Sequence, residues 1–447
     1  MVMINAVATP LMLSSVNVAL PAIATALALD AVTLTWVPLA YLVAAVALVL
    51  PAGRVADHLG RRRVFLAGTL GVIVSSVATA LAPDALTFLA GRVTQGLFTA
   101  LLYATQVAIV SSVVPPERRG LHIGQVVACV YVGLTIGPAL GGWLVDAVGW
   151  RAALVAHLPL TALSCLIGLV RVRDEWKGEH PQPVDPFGAL LYGGGLALLL
   201  VGLTVSLNGG GWLLALAGLG ALMLFLRHER RVAAPLIDIP LILGQPRFGA
   251  AVAAAFLLYA ATFSNIVLVS LELQYLEGAS ALAAGQVMLV QPLTMTLLAP
   301  LFGRLSDRLD PRLLTSTGSL CAGVGLVILA LQAGSHSQAA LLTGLVAVGL
   351  GFSLFSAPNT NALMGSVPKS RYGAAAGMVA TARLVGQLAS QWMVVLVFAF
   401  VIGHEPLGEG NRAALTTALQ LSYGLSALLC LPALWFTTRG LRAREEI

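Results

Sequence analysis

Charge is what this chain lacks most. Asp, Glu, Lys and Arg make up 10% of its 447 residues, against about 25% in an average soluble domain. That supply cannot cover a surface that faces water on all sides. A soluble enzyme, a disordered protein and a nucleic-acid-binding domain are excluded on this ground. Cysteine is also scarce. Cys129, Cys165, Cys321 and Cys430 lie singly in apolar stretches with no C-x-x-C spacing, so buried packing is expected rather than a zinc site or a disulfide framework. The chain has no H-E-x-x-H, no G-x-S-x-G and no paired intramembrane aspartates, so no enzyme is expected. The triple glycines Gly193–Gly195 and Gly209–Gly211 lack the G-K-[ST] of a phosphate loop and read as packing and turn residues. No repeat that would build a channel's selectivity ring is visible.

Apolar runs are abundant: 58% of residues are hydrophobic and the mean hydropathy is +0.91. The first charged residue is Asp30 and the first basic one Arg54. Without a basic n-region, the N-terminus is expected to be a retained membrane span rather than a cleaved signal. A bilayer core needs roughly 20 apolar residues per helix. That length predicts fourteen spans: 3–27, 34–54, 64–82, 86–113, 120–145, 151–170, 187–206, 211–226, 248–273, 281–303, 312–332, 339–363, 373–402 and 414–437.

The net charge of +6 is therefore read by position. With fourteen spans both termini share a side, taken as cytoplasmic. Of the 25 Lys and Arg residues, Arg151 and Arg412 then fall at outer ends and Arg92 and Arg383 within spans. The remaining 21 fall on the cytoplasmic side, a strong positive-inside bias that supports count and orientation together.

The chain also repeats itself. G-R-V-A-D-H-L-G-R-R-R begins at Gly53 and G-R-L-S-D-R-L-D-P-R at Gly303, an offset of 250 residues, each after the second span of a group of six. The expected layout is an N-terminal six-helix bundle over 1–171, a linker with two additional spans over 172–246, and a C-terminal six-helix bundle over 247–447. Parallel six-helix repeats of this kind place a substrate site between halves near the midplane.

With these motifs the chain resembles the major facilitator superfamily, and within it the fourteen-helix drug:proton antiporter family, over essentially its whole length. The superfamily's loop motif G-x-x-x-D-x-x-G-R-[RK] is matched by Gly53, Asp57, Gly60, Arg61 and Arg62, with a degenerate echo at Gly303, Asp307 and Arg308. The resemblance implies that this loop holds an inner gate. R-V-T-Q-G from Arg92 matches the family's fourth-helix pattern, and Gln95, Tyr103 and Gln106 continue a polar stripe at helical spacing. An arginine inside a span costs about 2.5–3.5 kcal/mol on insertion scales, so Arg92 is expected to face a polar interior. G-L-T-I-G-P-A-L-G-G from Gly133 matches the antiporter motif completely, through Gly133, Gly137, Pro138, Gly141 and Gly142. Gly133, Gly137 and Gly141 share a helix face suited to tight packing, Pro138 softens the helix, and the resemblance implies an exporter. N-V-A-L-P from Asn17, W-V-P-L-A-Y from Trp36, G-W-R from Gly149, the run from His228, and Arg383 in T-A-R-L-V-G-Q resemble further family landmarks.

One position departs. Many family members carry an aspartate five residues before the asparagine of N-V-A-L-P, where a buried acid makes a natural proton carrier; this chain has Met12. The resemblance therefore does not carry proton coupling, or a preference for cations, over to this chain.

Few other candidates remain. Glu272 in S-L-E-L-Q-Y reads either as a proton or cation site or as a solvated helix-end carboxylate, Asp146 as a helix-end residue, and His157 as a packing residue. Asn17, Tyr131, Tyr259, Asn265, Gln291, Asn359, Asn361, Gln387 and Gln391 are the amides and phenols expected to line a weakly polar cavity or to link helices. The expectation is an all-α integral membrane protein with the major facilitator fold, an exporter of small amphipathic or drug-like molecules by alternating access. A lipid or metabolite transporter of the same fold is the alternative. Its partners are a small-molecule substrate and the lipid bilayer, with no nucleic acid and no cofactor beyond a proton gradient. It is expected to be a monomer in the plasma (inner) membrane, both termini cytoplasmic.

Overall fold

The scarce acids start helices. Asp30 accepts a hydrogen bond from the Thr33 N–H at 2.6 Å, Asp84 from Thr87 at 2.9 Å, and Asp310 from Arg312 at 2.8 Å. Each satisfies one of the donors that a helix N-terminus leaves without an internal partner. The structure is a computed structural model, which describes residues 1–115, 118–178, 183–206, 210–232, 235–236, 244–306, 308–367 and 372–440.

Among these residues there is no strand, and fourteen helices are long and apolar enough to cross a membrane. They are α1 (Val2–Leu27), α2 (Ala31–Leu59), α3 (Arg61–Ala80), α4 (Ala85–Val113), α5 (His122–Ala147), α6 (Trp150–Val170) and α7 (Pro186–Val205). The second seven are α8 (Trp212–Glu229), α9 (Pro246–Leu276), α10 (Ala281–Leu305), α11 (Pro311–Gln332), α12 (Gln338–Leu363), α13 (Gly377–Val401) and α14 (Glu409–Arg439). Each expected span falls on one of them. In hydrocarbon every backbone N–H and C=O must be satisfied within the segment, which makes the helix the one form open to such runs. The exterior is that of a membrane protein. Leu70, Val74, Leu213, Leu216, Leu320 and Leu331 are exposed, while Arg92, Gln95, Asn265 and Gln391 are buried.

Helix ends and breaks follow local chemistry. α2 runs to Leu59 and stops at Gly60, whose φ of +111° is open to glycine at little cost. α6 is interrupted at Ala156–His157, ahead of Pro159. α9 is interrupted at Phe263–Ser264 and closes in a π-turn over Glu272–Leu276. Most Ser and Thr hydroxyls within spans donate to carbonyls one turn back, as Thr69 does to Phe65 and Thr99 to Gln95, both at 2.8 Å. Hydroxyls so occupied have spent their one donor on the helix and can only accept from a substrate.

The chain divides into two compact units, Met1–Leu236 with Ser280–Gly285, and Ile237–Ala279 with Gln286–Ile447. In the first, α1 packs with α5, α2 and α3 with α4, and α6 against α1 and α3. α7 and α8 pack on each other, and α7 also packs on α2, where Gly193 lies against Ala47. In the second unit, α9 packs with α13, α10 and α11 with α12, and α14 against α9 and α11. The same set of pairings thus occurs inside each unit, eight helices apart in the chain.

Candidate functional site

The loop between α2 and α3 is tied from one side by α4 and from the other by the segment after α6. Arg61 places Nε and Nη2 on Asp57 Oδ1 at 3.0 and 2.8 Å and Nη1 on the Ala108 carbonyl at 3.1 Å. The Arg61 N–H donates to Trp176 O at 2.7 Å, and the Gly178 N–H to Asp57 O at 3.1 Å. Arg62 does not reach Asp57. Its N–H donates to Glu175 Oε1 at 2.9 Å and its Nε to Gly168 O at 3.1 Å. Arg63 Nε lies 3.6 Å from Glu175 Oε2, an ion pair longer than a hydrogen bond. Gly53 has open space around it. In the echo, Gly303 lies near the end of α10 and Arg308 is exposed, whereas Asp307 lies outside the described residues. Asp310 and Arg312 pair there at 2.9 Å.

The glycines of α5 serve two neighbours in the first unit. Gly133 meets the carbonyl of Val7, Gly137 meets Ser14 and Gly141 meets Ser15, all on α1. Ser15 Oγ also donates to Gly137 O at 3.0 Å. On the other side, Gly142 faces the Ala281 carbonyl, and the Pro138 carbonyl faces Gly285, both in the first turns of α10. Asp146 completes this contact, accepting from the N–H groups of Ala281 at 3.3 Å and Leu282 at 2.9 Å. The helix-end acid at the end of α5 therefore caps α10.

Arg92 is wholly buried and is held by α2 and α4. Its Nε donates to Val37 O at 3.1 Å and its Nη1 to Gln95 Oε1 at 2.7 Å, with the guanidinium over the Tyr41 ring at 4.9 Å. Gln95 passes the chain to Ser76 Oγ at 2.9 Å, which meets His157 Nε2 at 3.2 Å. A continuous run of hydrogen bonds thus links α2, α4, α3 and α6. Tyr103 joins this cluster through Tyr41, whose hydroxyl its own meets at 3.4 Å, whereas Gln106 belongs elsewhere, donating to Asn5 Oδ1 at 3.3 Å. The polar stripe of α4 is two clusters. Asn17 is buried in α1.

In the second unit Glu272 is 1% exposed, so it is not a solvated helix-end acid. Gln332 Nε2 donates to its Oε1 at 2.9 Å, and the Tyr423 hydroxyl to its Oε2 at 3.5 Å. No Lys, Arg or His pairs with it among the described residues; nearby Arg412 is spent on the Leu276 carbonyl. Asn359 donates to Ala251 O at 3.1 Å and links α12 to α9. Asn265 and Gln391 are buried, and neither amide has a partner among the described residues. They flank Ser264 and Ser390, which hydrogen-bond to each other at 3.0 Å across the break in α9. Arg383 and Gln387, one turn apart on α13, are half-buried. The Arg383 guanidinium lies over the Tyr259 ring at 5.0 Å, and Tyr259 meets Phe352 edge-on.

Residues 2–391 match the family model of the Major Facilitator Superfamily. The chain belongs to the Major Facilitator Superfamily. It is similar to the drug efflux pump JefA of Mycobacterium tuberculosis (strain ATCC 25618 / H37Rv), 31% identical over 83% of this chain and 74% of that protein. It is also similar to the riboflavin transporter RibZ of Clostridioides difficile (strain 630), 26% identical over 97% of this chain and 94% of that one. Among solved structures it resembles that of a POT family transporter in complex with 5-aminolevulinic acid, with a TM-score of 0.74, 15% identity and coverage of 98% of this chain and 96% of the other. The protein is a multi-pass membrane transporter and not an enzyme.

Sequence reasoning missed several side chains that hold the candidate site residues in place. Glu175 holds the loop between α2 and α3, and its only signal is an acid in the short D-E-W-K run after a basic cluster. Tyr41 under Arg92, and Gln332 and Tyr423 on Glu272, come from helices distant in sequence and leave no local pattern.

Proposed function

We propose that this protein exports small amphipathic or drug-like molecules across the plasma (inner) membrane by alternating access, exchanging them for protons. The observation that carries this reading is the 31% identity to a drug efflux pump over 83% of the chain. The complete antiporter motif of α5, packed as a stripe against α1, supports it. In this proposal the six-helix halves 1–171 and 247–447 move about a central cavity, and 172–246 adds two spans. The recurrence of one set of helix pairings in each unit supports that division. The Asp57–Arg62 loop and its echo at Asp307 form the inner gate, with Glu175 as an added tether. The protein acts as a monomer, and its charge distribution supports cytoplasmic termini.

Glu272 takes the part of the missing first-helix acid. It is enclosed with one amide and one phenol and has no counter-cation among the described residues, so a proton can travel there in place of a counter-ion. Arg92 is sealed into its bundle and serves as a fixed positioning charge. A metabolite-transport reading is favoured by one observation, the 26% identity to a riboflavin transporter over 97% of the chain. A substrate panel in proteoliposomes with an imposed pH gradient, containing ethidium and riboflavin, tests both. Gradient-driven accumulation of ethidium supports drug export, accumulation of riboflavin alone supports metabolite transport, and transport indifferent to the gradient refutes proton exchange.

A further inference from the structure

The helix pair α7–α8 is a stiff body. Gly202 lies against the backbone of Ala215 and Gly218 against that of Leu199, so no side chain separates the two helices there. His228, at the end of α8, meets Asp185, just ahead of α7, at 2.7 Å, and the Gly188 N–H donates to the same carboxylate at 2.9 Å. The pair sits on α2, where a Cβ on Gly193 would stand 3.1 Å from Ala47 Cβ and 3.3 Å from its carbonyl oxygen. Both segments that join the pair to the rest of the first unit end on α2 or on the loop after it. The entering segment offers Trp176 O to the Arg61 N–H at 2.7 Å and Glu175 Oε1 to the Arg62 N–H at 2.9 Å. Its Gly178 N–H donates to Asp57 O at 3.1 Å. The leaving segment offers Pro235 O to Arg54 Nη2 at 2.8 Å. Two of these bonds join backbone to backbone, so the placing of the segments maintains them and no side chain does.

We infer that the inserted pair α7–α8 is a brace: its seat on α2 sets the position of the two joining segments, and these clamp the α2–α3 loop. Its part in transport rests on the reading of that loop as the inner gate. The six helices α1–α6 pack on one another without the pair, so holding the loop is what the pair adds to the first unit. Ala47 lies ten residues before Asp57, about 15 Å along α2, and the pair spans that gap as one body. Hydrogen bonds of 2.7–3.1 Å do not survive a displacement of about 1 Å. Each shifts a local equilibrium by about fivefold, so the three bonds from the entering segment together amount to a factor on the order of 100. Arg61 Nη1 on Ala108 O and Arg62 Nε on Gly168 O lie outside the brace. Moving the pair therefore loosens the loop and leaves it attached to α4 and α6.

Hydrogen–deuterium exchange of the full-length protein in nanodiscs tests the brace at a distance, because the Arg61 and Arg62 amides themselves make two of its bonds. Gly193→Val pushes α7 from Ala47, Arg54→Met cuts the leaving segment, and Gly194→Ala is the control, its would-be Cβ meeting only Leu190 Cδ1 at 3.9 Å. Exchange over 57–63 should quicken about 10- to 100-fold in Gly193→Val and about fivefold in Arg54→Met, and stay within about twofold in Gly194→Ala. Ethidium accumulation in proteoliposomes under a pH gradient should fall by about three- to tenfold in the first two variants, with ethidium binding to the purified protein within about twofold of wild type. A loop unmoved by Gly193→Val overturns the inference, and so does exchange quickened alike in every span. Should Gly193→Val not fold, Arg54→Met decides on the same readout. A quickened loop with undiminished transport keeps the brace and removes the inner-gate reading. If wild type moves no ethidium, drug export falls, and the exchange measurement still decides the brace.

Discussion

Replacing Gly141 by alanine tests whether the glycines of α5 are there for helix contact. A Cβ at this position would stand 2.7 Å from Ser15 Cα and 2.9 Å from Ser15 Cβ. Carbon atoms rest at about 3.5–4.0 Å, so α1 and α5 must part by roughly 1 Å. Overpacking of this kind costs about 1–3 kcal/mol. Parting the helices also strains the 3.0 Å bond from Ser15 to the Gly137 carbonyl, worth about 1 kcal/mol. Better helix propensity returns about 1 kcal/mol, which leaves a net loss of about 1–3 kcal/mol. Gly124 lies on the same helix with nothing within 4 Å of its would-be Cβ. Gly124→Ala gains propensity alone, up to about 1 kcal/mol. Thermal unfolding of the two variants in one detergent should therefore move in opposite directions from wild type. Equal shifts, or a Gly124→Ala protein less stable than Gly141→Ala, would refute the packing argument.

Three further outcomes follow from the geometry. Glu175→Gln keeps an acceptor for the Arg62 N–H and loses an ion pair to a largely exposed Arg63, so it should change stability by less than about 1 kcal/mol, whereas Glu175→Ala should loosen the loop between α2 and α3. Limited proteolysis around 172–178 separates the two. Arg92→Lys cannot reproduce the bonds to Val37 and Gln95 together and should cost about 2–4 kcal/mol, read as a lower unfolding temperature with the purified protein otherwise intact. The third concerns pH at the base of the α7–α8 hairpin. Burial alone would raise the Asp185 carboxyl, but the Gly188 N–H and His228 hold it below the ordinary carboxylate range. A depressed value means that the stabilisation is fully present above the unfolded-state value, about 3.9, and is lost as pH falls through the lower folded-state value. Unfolding scanned downward from neutral pH should show an acid limb in wild type that Asp185→Asn reduces.

The span pattern was fully legible because hydrocarbon leaves one way to satisfy a backbone, so that length and apolarity alone mark each span. The glycines of α5 were legible as a packing face, since a period of four on a helix fixes which residues share a side. What escaped depends on partners remote in the chain. The sequence places Glu272 within a few residues of a helix end, and only α11 and α14, through Gln332 and Tyr423, decide that it is enclosed rather than solvated. The stripe from Arg92 to Gln106 reads as one surface along α4, yet Tyr41 of α2 gathers Arg92 and Tyr103 while Asn5 of α1 draws off Gln106. Asp57 was legible as an acid beside a basic cluster, but not that Arg61 takes it while Arg62 turns to Glu175. Glu175 lies in an irregular segment with no periodicity to read.

The central claim is that this transporter moves a proton through Glu272 in exchange for its substrate. Proton flux recorded with a pH-sensitive dye inside proteoliposomes, on addition of a transported substrate, measures it directly. Wild type should show a substrate-dependent pH change, and Glu272→Gln should abolish that change while substrate counterflow continues. An undiminished proton signal in Glu272→Gln, or none in wild type during active transport, would contradict the claim.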